Sequence, residues 1–172
     1  MKVYGVQHIG LTVPDMAQAV AFFVTHFGAV VCLSTGKLEV DDTYMIRRLG
    51  VPGDRRIEDI QVLRLGNGSN LELFQYSGEP EVDAPLKRNS QPGGYHIAIQ
   101  VDDCDRAAAQ LQAAGVVVLD GPNYVESGVM AGLTWCYFQA PWGQFLEIVS
   151  MDGPLGAERA GGHPQWSPVT GG

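Results

Sequence analysis

The chain has 172 residues, 45% hydrophobic and 17% charged, with a formal net charge of −8; that is enough to bury a core as one compact domain or two small fused modules. The negative balance excludes a nucleic-acid binder, which needs a basic face to displace counterions from phosphates, and no apolar run approaches the ~20 residues of a membrane span. MKVYGVQHIG enters a strand pattern without the charged and apolar regions of a signal peptide. Cys32, Cys104 and Cys136 are odd in number and lack CxxC spacing, as expected of reduced core thiols in a cytoplasmic protein.

Residues 6–13 alternate as a strand, with His8, Gly10 and Thr12 on one face and Ile9, Leu11 and Val13 on the other. Pro14 stops it, and Asp15 is placed to cap a helix by accepting from the free amides of the first turn. Ala17, Val20, Ala21, Val24 and Phe27 follow at helical spacing, and Gly28 closes the helix. A second strand is expected over 29–33. An irregular insert at about 34–59 holds Asp41 and Asp42, a short helix over 44–49 and the breaker Pro52-Gly53. Strands at about 60–65 and 70–76 are joined by Gly66-Asn67-Gly68, where Gly and Asn accept positive φ. This first module spans 1–78.

A polar, Pro- and Gly-rich linker is expected at 79–93, and a second module at 94–151. There a strand over 95–101 leads to a helix capped by Asp102 or Asp103 and ending at Gly115. A strand over 116–119, a Gly/Pro-rich loop and strands at about 133–139 and 144–150 complete it, the last two joined by Pro141-Trp142-Gly143. Each module therefore reads as βαβββ, an α+β fold. The tail, 152–172, has no periodicity; Trp166 and Pro168 are its candidate anchors.

The two halves repeat each other. HIGLTVPDMAQAVAFF from His8 matches HIAIQVDDCDRAAAQL from His96, and NLELF around Glu72 matches FLEIV around Glu147. An ionised Glu within such an apolar strand costs several kcal/mol if buried without a partner. One divalent cation, held by two imidazoles and two carboxylates, satisfies all four groups. Mixed N/O ligation of this kind suits Zn, Ni, Co, Mn or Fe(II) and leaves room for substrate oxygens. Tyr44, Arg47 and Arg48 in the insert, with Arg64 in QVLRL and Tyr137 in LTWCYF, are candidates for binding substrate, the arginines through an anionic group. Aromatics such as Tyr137 and Trp135 in LTWCYF more often belong to the core than to a substrate platform. His26 and His163 receive no site role.

Through QHIGLTVPD, NLELF, YHIAIQVDD and APWGQFLEIVS, the chain resembles the vicinal oxygen chelate superfamily over about residues 4–150. That family includes glyoxalase I, methylmalonyl-CoA epimerase, extradiol dioxygenases and fosfomycin or bleomycin resistance proteins. The resemblance implies two βαβββ modules forming a cupped, partly open barrel, one divalent metal ion on His8, Glu72, His96 and Glu147, and a small-molecule substrate. It also implies proton abstraction next to a carbonyl, with Glu147 or Glu72 as the base. Extradiol dioxygenases use two His and one Glu. Thr12 stands where glyoxalase I carries a glutathione-binding Arg, and Glu72 replaces a Gln ligand of bacterial methylmalonyl-CoA epimerases. The long insert and APWGQ resemble a glyoxalase-like branch with epimerases of cyclic polyol ketones such as 2-epi-5-epi-valiolone. An epimerase or isomerase is therefore expected, with a glyoxalase I-type lyase, an extradiol-type dioxygenase and a non-catalytic drug-binding resistance protein as alternatives. A homodimer is expected, with the APWGQ turn and Trp166 offering apolar contact surface.

Overall fold

The computed structural model describes residues 6–77 and 87–169, and the chain divides into two compact units, 1–85 and 86–172. Most of the linker expected at 79–93 lies outside the described residues; 87–93 contain turns only.

The first unit runs β1 (His8–Thr12), α1 (Met16–Phe27), β2 (Val30–Ser34), α2 (Asp42–Tyr44), β3 (Ile57–Arg64) and β4 (Asn70–Tyr76). The sheet order is β1-β4-β3-β2, with the first and last strands parallel and the others antiparallel. Asp15 caps α1 as expected, its Oδ1 accepting from the Gln18 amide at 2.9 Å. Gly28, at φ 62°, ends the helix in the left-handed conformation and donates its amide to Phe23 and Val24 carbonyls. Met16, Ala19, Phe22 and Phe23 form the buried face of α1, while Leu11, Ile57, Leu63, Leu71 and Leu73 are the buried strand residues. Burying each leucine contributes about 1.5–3 kcal/mol. The register that turns Leu71 and Leu73 inward thereby turns Glu72 to the other face.

The insert is more ordered than its composition implies. Asp41 caps α2 by accepting from the Tyr44 amide at 2.7 Å, and the helix continues as a π-helical turn over Met45–Leu49. Fully buried Met45 anchors it. Leu38 bridges to Ile57, so β3 begins three residues earlier than the hydrophobic pattern suggests.

The second unit runs β5 (Ile97–Gln100), α3 (Cys104–Ala113), β6 (Val117–Val118), β7 (Asn123–Tyr124), β8 (Leu133–Gln139), β9 (Phe145–Met151) and α4 (Gly156–Arg159). Its order, β5-β9-β8-β6, repeats the first unit's. Asp103 is the cap, accepting from Arg106 N at 2.9 Å. Cys104, Ala108 and Leu111 of α3 are buried, as are Cys136, Phe138, Leu146 and Ile148 of the sheet.

Four details differ from the sequence reading. His96 precedes β5 instead of lying within it, because β9 starts at Phe145 and its pairing with β5 begins at Leu146. The loop after β6 contains β7, which pairs with β8 at Trp135 and Thr134, so this unit's edge is two short strands where the first has one. Cys32 is exposed at the register shift in β2, unlike buried Cys104 and Cys136. The tail is anchored by buried Leu155 and by Arg159, whose guanidinium donates to Pro154 and Ala131 carbonyls, whereas Trp166 is 60% exposed.

Candidate metal centre

Each unit brings one imidazole to one carboxylate by the same ladder geometry. In the first, Glu72 stands opposite Gly10, and His8 lies two residues earlier on the same face of β1. His8 Nε2 is 3.3 Å from Glu72 Oε2. In the second, Glu147 stands opposite Ala98, and His96 Nε2 is 3.2 Å from Glu147 Oε2. Gly10 and Ala98 are small residues directly opposite each glutamate, and a Cβ on Gly10 would meet only the Phe74 ring, at 4.0 Å. That paired small residue, in HIG and HIA, is a signal present in the sequence that the reading by ligand type passed over.

The donor separation fits a shared cation. Two donors bonded to one ion at about 2.1 Å, at angles of about 90–110°, stand roughly 3.0–3.4 Å apart. Among the described residues, no third His, Cys, Asp or Glu joins either pair within its unit. A pair alone leaves most positions of a divalent ion open to other donors.

The two pairs differ in their surroundings. Glu147 is the more enclosed carboxylate, its side chain 13% exposed against 26% for Glu72. Burial pushes its proton affinity above the usual carboxylate range, and His96 pulls it only part of the way back. Tyr137 stands opposite Glu147 on β8, its hydroxyl 3.3 Å from His96 Nε2. Burial, then the Glu147 charge, raises the Tyr137 phenol.

Tyr137 and Trp135 therefore lie on the site face rather than in the core, their rings edge-to-face with centroids 5.7 Å apart. The first unit places its aromatics on the other strand. Phe74 and Tyr76 follow Glu72 along one face of β4, stacked at 5.8 Å with planes 6° apart. Burial and the charge of Glu72 raise the Tyr76 phenol. These two were missed in the sequence because a Phe and a Tyr in a strand read as core; their spacing of two and four from Glu72 is the available signal.

Tyr44, Arg47 and Arg48 line a cavity of about 730 Å³ with Glu39, Val40, Asp41 and Thr43. It belongs to the insert, which joins the sheet at Ile57, opposite Tyr76 and therefore at the end of β4 away from His8. Arg64 shares the face of His8 through its pairing with Asn70, but its Nε donates to the Gly66 carbonyl at 3.0 Å.

The sequence model of the Glyoxalase/Bleomycin resistance protein/Dioxygenase superfamily matches residues 7–137. A 2-epi-5-epi-valiolone epimerase from an Actinomyces species is 42% identical over 153 residues, covering 88% of this chain and 81% of the relative. Among solved structures, a glyoxalase family protein from Bacillus cereus aligns with a TM-score of 0.71 at 17% identity, over 89% of this chain and 97% of that one. A fosfomycin resistance protein from Listeria monocytogenes, in complex with Mn(II) and sulfate, aligns with a TM-score of 0.55 at 20% identity, over 87% and 93%. At such identities the solved structures speak to the fold.

Proposed function

The chain belongs to the Glyoxalase/Bleomycin resistance protein/Dioxygenase superfamily, and on that footing we propose that it is a divalent-metal-dependent epimerase or isomerase. Its substrate is a small oxygenated ketone of the hydroxyketone or cyclitol class, from which it removes a proton α to the carbonyl. The observation that carries this reading is the His–Glu pair, repeated in both units at the spacing of donors to one ion. The 42% identical relative, named as a 2-epi-5-epi-valiolone epimerase, supports the reaction and the substrate class.

The His8–Glu72 and His96–Glu147 pairs would each offer two donors to a divalent ion, which would supply Lewis acidity that makes the neighbouring C–H acidic. Glu147 is the base: its enclosed carboxylate has the raised proton affinity that abstraction from carbon needs. Glu72, more exposed, serves as ligand. Phe74 with Tyr76, and Trp135 with Tyr137, give each site face an aromatic surface for the C–H flank of a ring. Delivery of a solvent-derived proton to the opposite face of the same carbon inverts it, and delivery to the adjacent carbon isomerises the ketone.

Solvent deuterium entering the α position of 2-epi-5-epi-valiolone, abolished by a chelator and slowed ~10²–10⁴-fold by Glu147→Gln, is the expected result. Oxygen uptake with a catechol, or turnover only with glutathione, would replace this reading with a dioxygenase or a lyase. We also propose a homodimer. The edge strand β2 exposes Val30, Val31 and Leu33, and a monomeric mass by light scattering at micromolar concentration would exclude it.

A further inference from the structure

The imidazole of His8 lies between two acceptors. Its Nδ1 is 2.6 Å from Oε1 of Gln7, and its Nε2 is 3.3 Å from Oε2 of Glu72. A neutral imidazole has only one N–H. The shorter contact, to the amide oxygen, takes that proton at Nδ1. Nε2 is then left with its lone pair facing a carboxylate oxygen, an arrangement that repels unless a positive charge lies with both.

We propose that Gln7 is a positioning residue: by accepting from Nδ1–H of His8, it fixes the tautomer that presents Nε2, beside Glu72, to a divalent cation. This rests on the reading that the pair binds a cation.

The backbone around Gln7 is arranged to hold that contact. Its carbonyl accepts from the Asn70 amide at 3.2 Å and from Asn70 Nδ2 at 3.1 Å, while Ser69 Oγ donates to the preceding carbonyl of Val6 at 2.9 Å. Asn70 pairs with His8 and begins β4, the strand that carries Glu72. Gln7, His8 and Glu72 are thus registered to one another through a single point of the ladder. The second unit lacks this device. Half-exposed Tyr95 precedes His96, and among the described residues His96 has its polar contacts at Nε2, to Tyr137 and Glu147. One imidazole is fixed in its tautomer before any ion arrives; the other is fixed by the ion.

The test uses the full chain with Zn(II) as probe, its affinity measured by competition with a chromophoric chelator. Nitrogen-15 shifts of the His8 ring in metal-free protein report the tautomer. The expected results are an Nδ1–H tautomer in the unaltered chain, mixed tautomers in Gln7→Leu, and a 10–100-fold loss of Zn(II) affinity in that variant, the usual consequence of removing a group behind a ligand. Gln7→Glu, which keeps an acceptor, retains the affinity, and the metal-free melting temperature stays unchanged in both variants. An Nε2–H tautomer in the unaltered chain, readable without any variant, overturns the proposal. So does Gln7→Leu binding with full affinity while His8→Ala does not. If the unaltered chain fails to bind Zn(II), or His8→Ala binds it fully, the cation reading itself falls.

Discussion

Val62 and Tyr137 occupy the same ladder position in the two sheets, each directly opposite the site glutamate, and only Tyr137 brings a hydroxyl to the imidazole. The internal repeat is therefore symmetrical in its ligand frame and asymmetrical in its walls.

That difference makes a prediction for Tyr137→Phe. The hydroxyl lies against His96 Nε2, the atom a cation would take, so the two compete. Once displaced, the hydroxyl is free to donate to a substrate oxygen. The variant should bind Zn(II) as tightly as the parent or more tightly, while KM rises about fivefold, the worth of one hydrogen bond of about 1 kcal/mol. Weaker metal binding with unchanged KM would place Tyr137 among the supports of the ligand instead.

Glu72→Ala and His96→Ala should each lose most of the bound metal, measured as metal content after gel filtration. Because ion binding adds to folding stability, both should also lose the rise in melting temperature that Zn(II) gives the parent. A quadruple alanine variant of His8, Glu72, His96 and Glu147 that kept its full metal would move the centre elsewhere.

The repeat, the two capped helices and the His/Glu pattern were all legible in the sequence, because each rests on local rules: alternation along a strand, an Asp before a helix, a Gly after it. Other features depend on tertiary pairing. His96 falls outside β5 because of where β9 begins, and β7 is a strand only because β8 offers it an edge. Tyr137 was ambiguous for a similar reason: alternation gives two faces to LTWCYF, and only the packing of Cys136 and Phe138 into the core says which is which.

The three cysteines should separate chemically. Cys32 is exposed, while burial, with Cys136 and nearby carboxylates, pushes the Cys104 thiol up to about 12; burial likewise raises Cys136. Since the thiolate is the nucleophile, iodoacetamide at pH 8 should label Cys32 alone in the native protein and all three after denaturation. Rapid native labelling of Cys104 would contradict its burial.

Asp59 should shape the acid limb of stability. Burial raises its affinity for protons, but hydrogen bonds from Gln61, the Gly36 amide, Ser34 and Ile60 outweigh this and hold its carboxyl below the ordinary value. The folded state therefore favours the carboxylate, giving stability that is present above the unfolded pKa and lost as pH falls through the lower folded one. As Asp59 is only partly buried, solvent screening should keep the effect below ~1 kcal/mol. Urea midpoints of Asp59→Ala should converge with those of the parent toward pH 2. Parallel curves would assign Asp59 no role in the acid limb.

The pairing of the first and last strands has a consequence for how errors in assembly would show themselves. His8 and Glu72 meet only when β1 and β4, at opposite ends of their unit, lie side by side in the correct register. A slip of one residue would put Leu71 or Leu73 where Glu72 belongs and bury the carboxylate. Each His–Glu pair is therefore a gauge of its own unit's strand register, and an ion bound there would proofread the alignment of the strands that hold it.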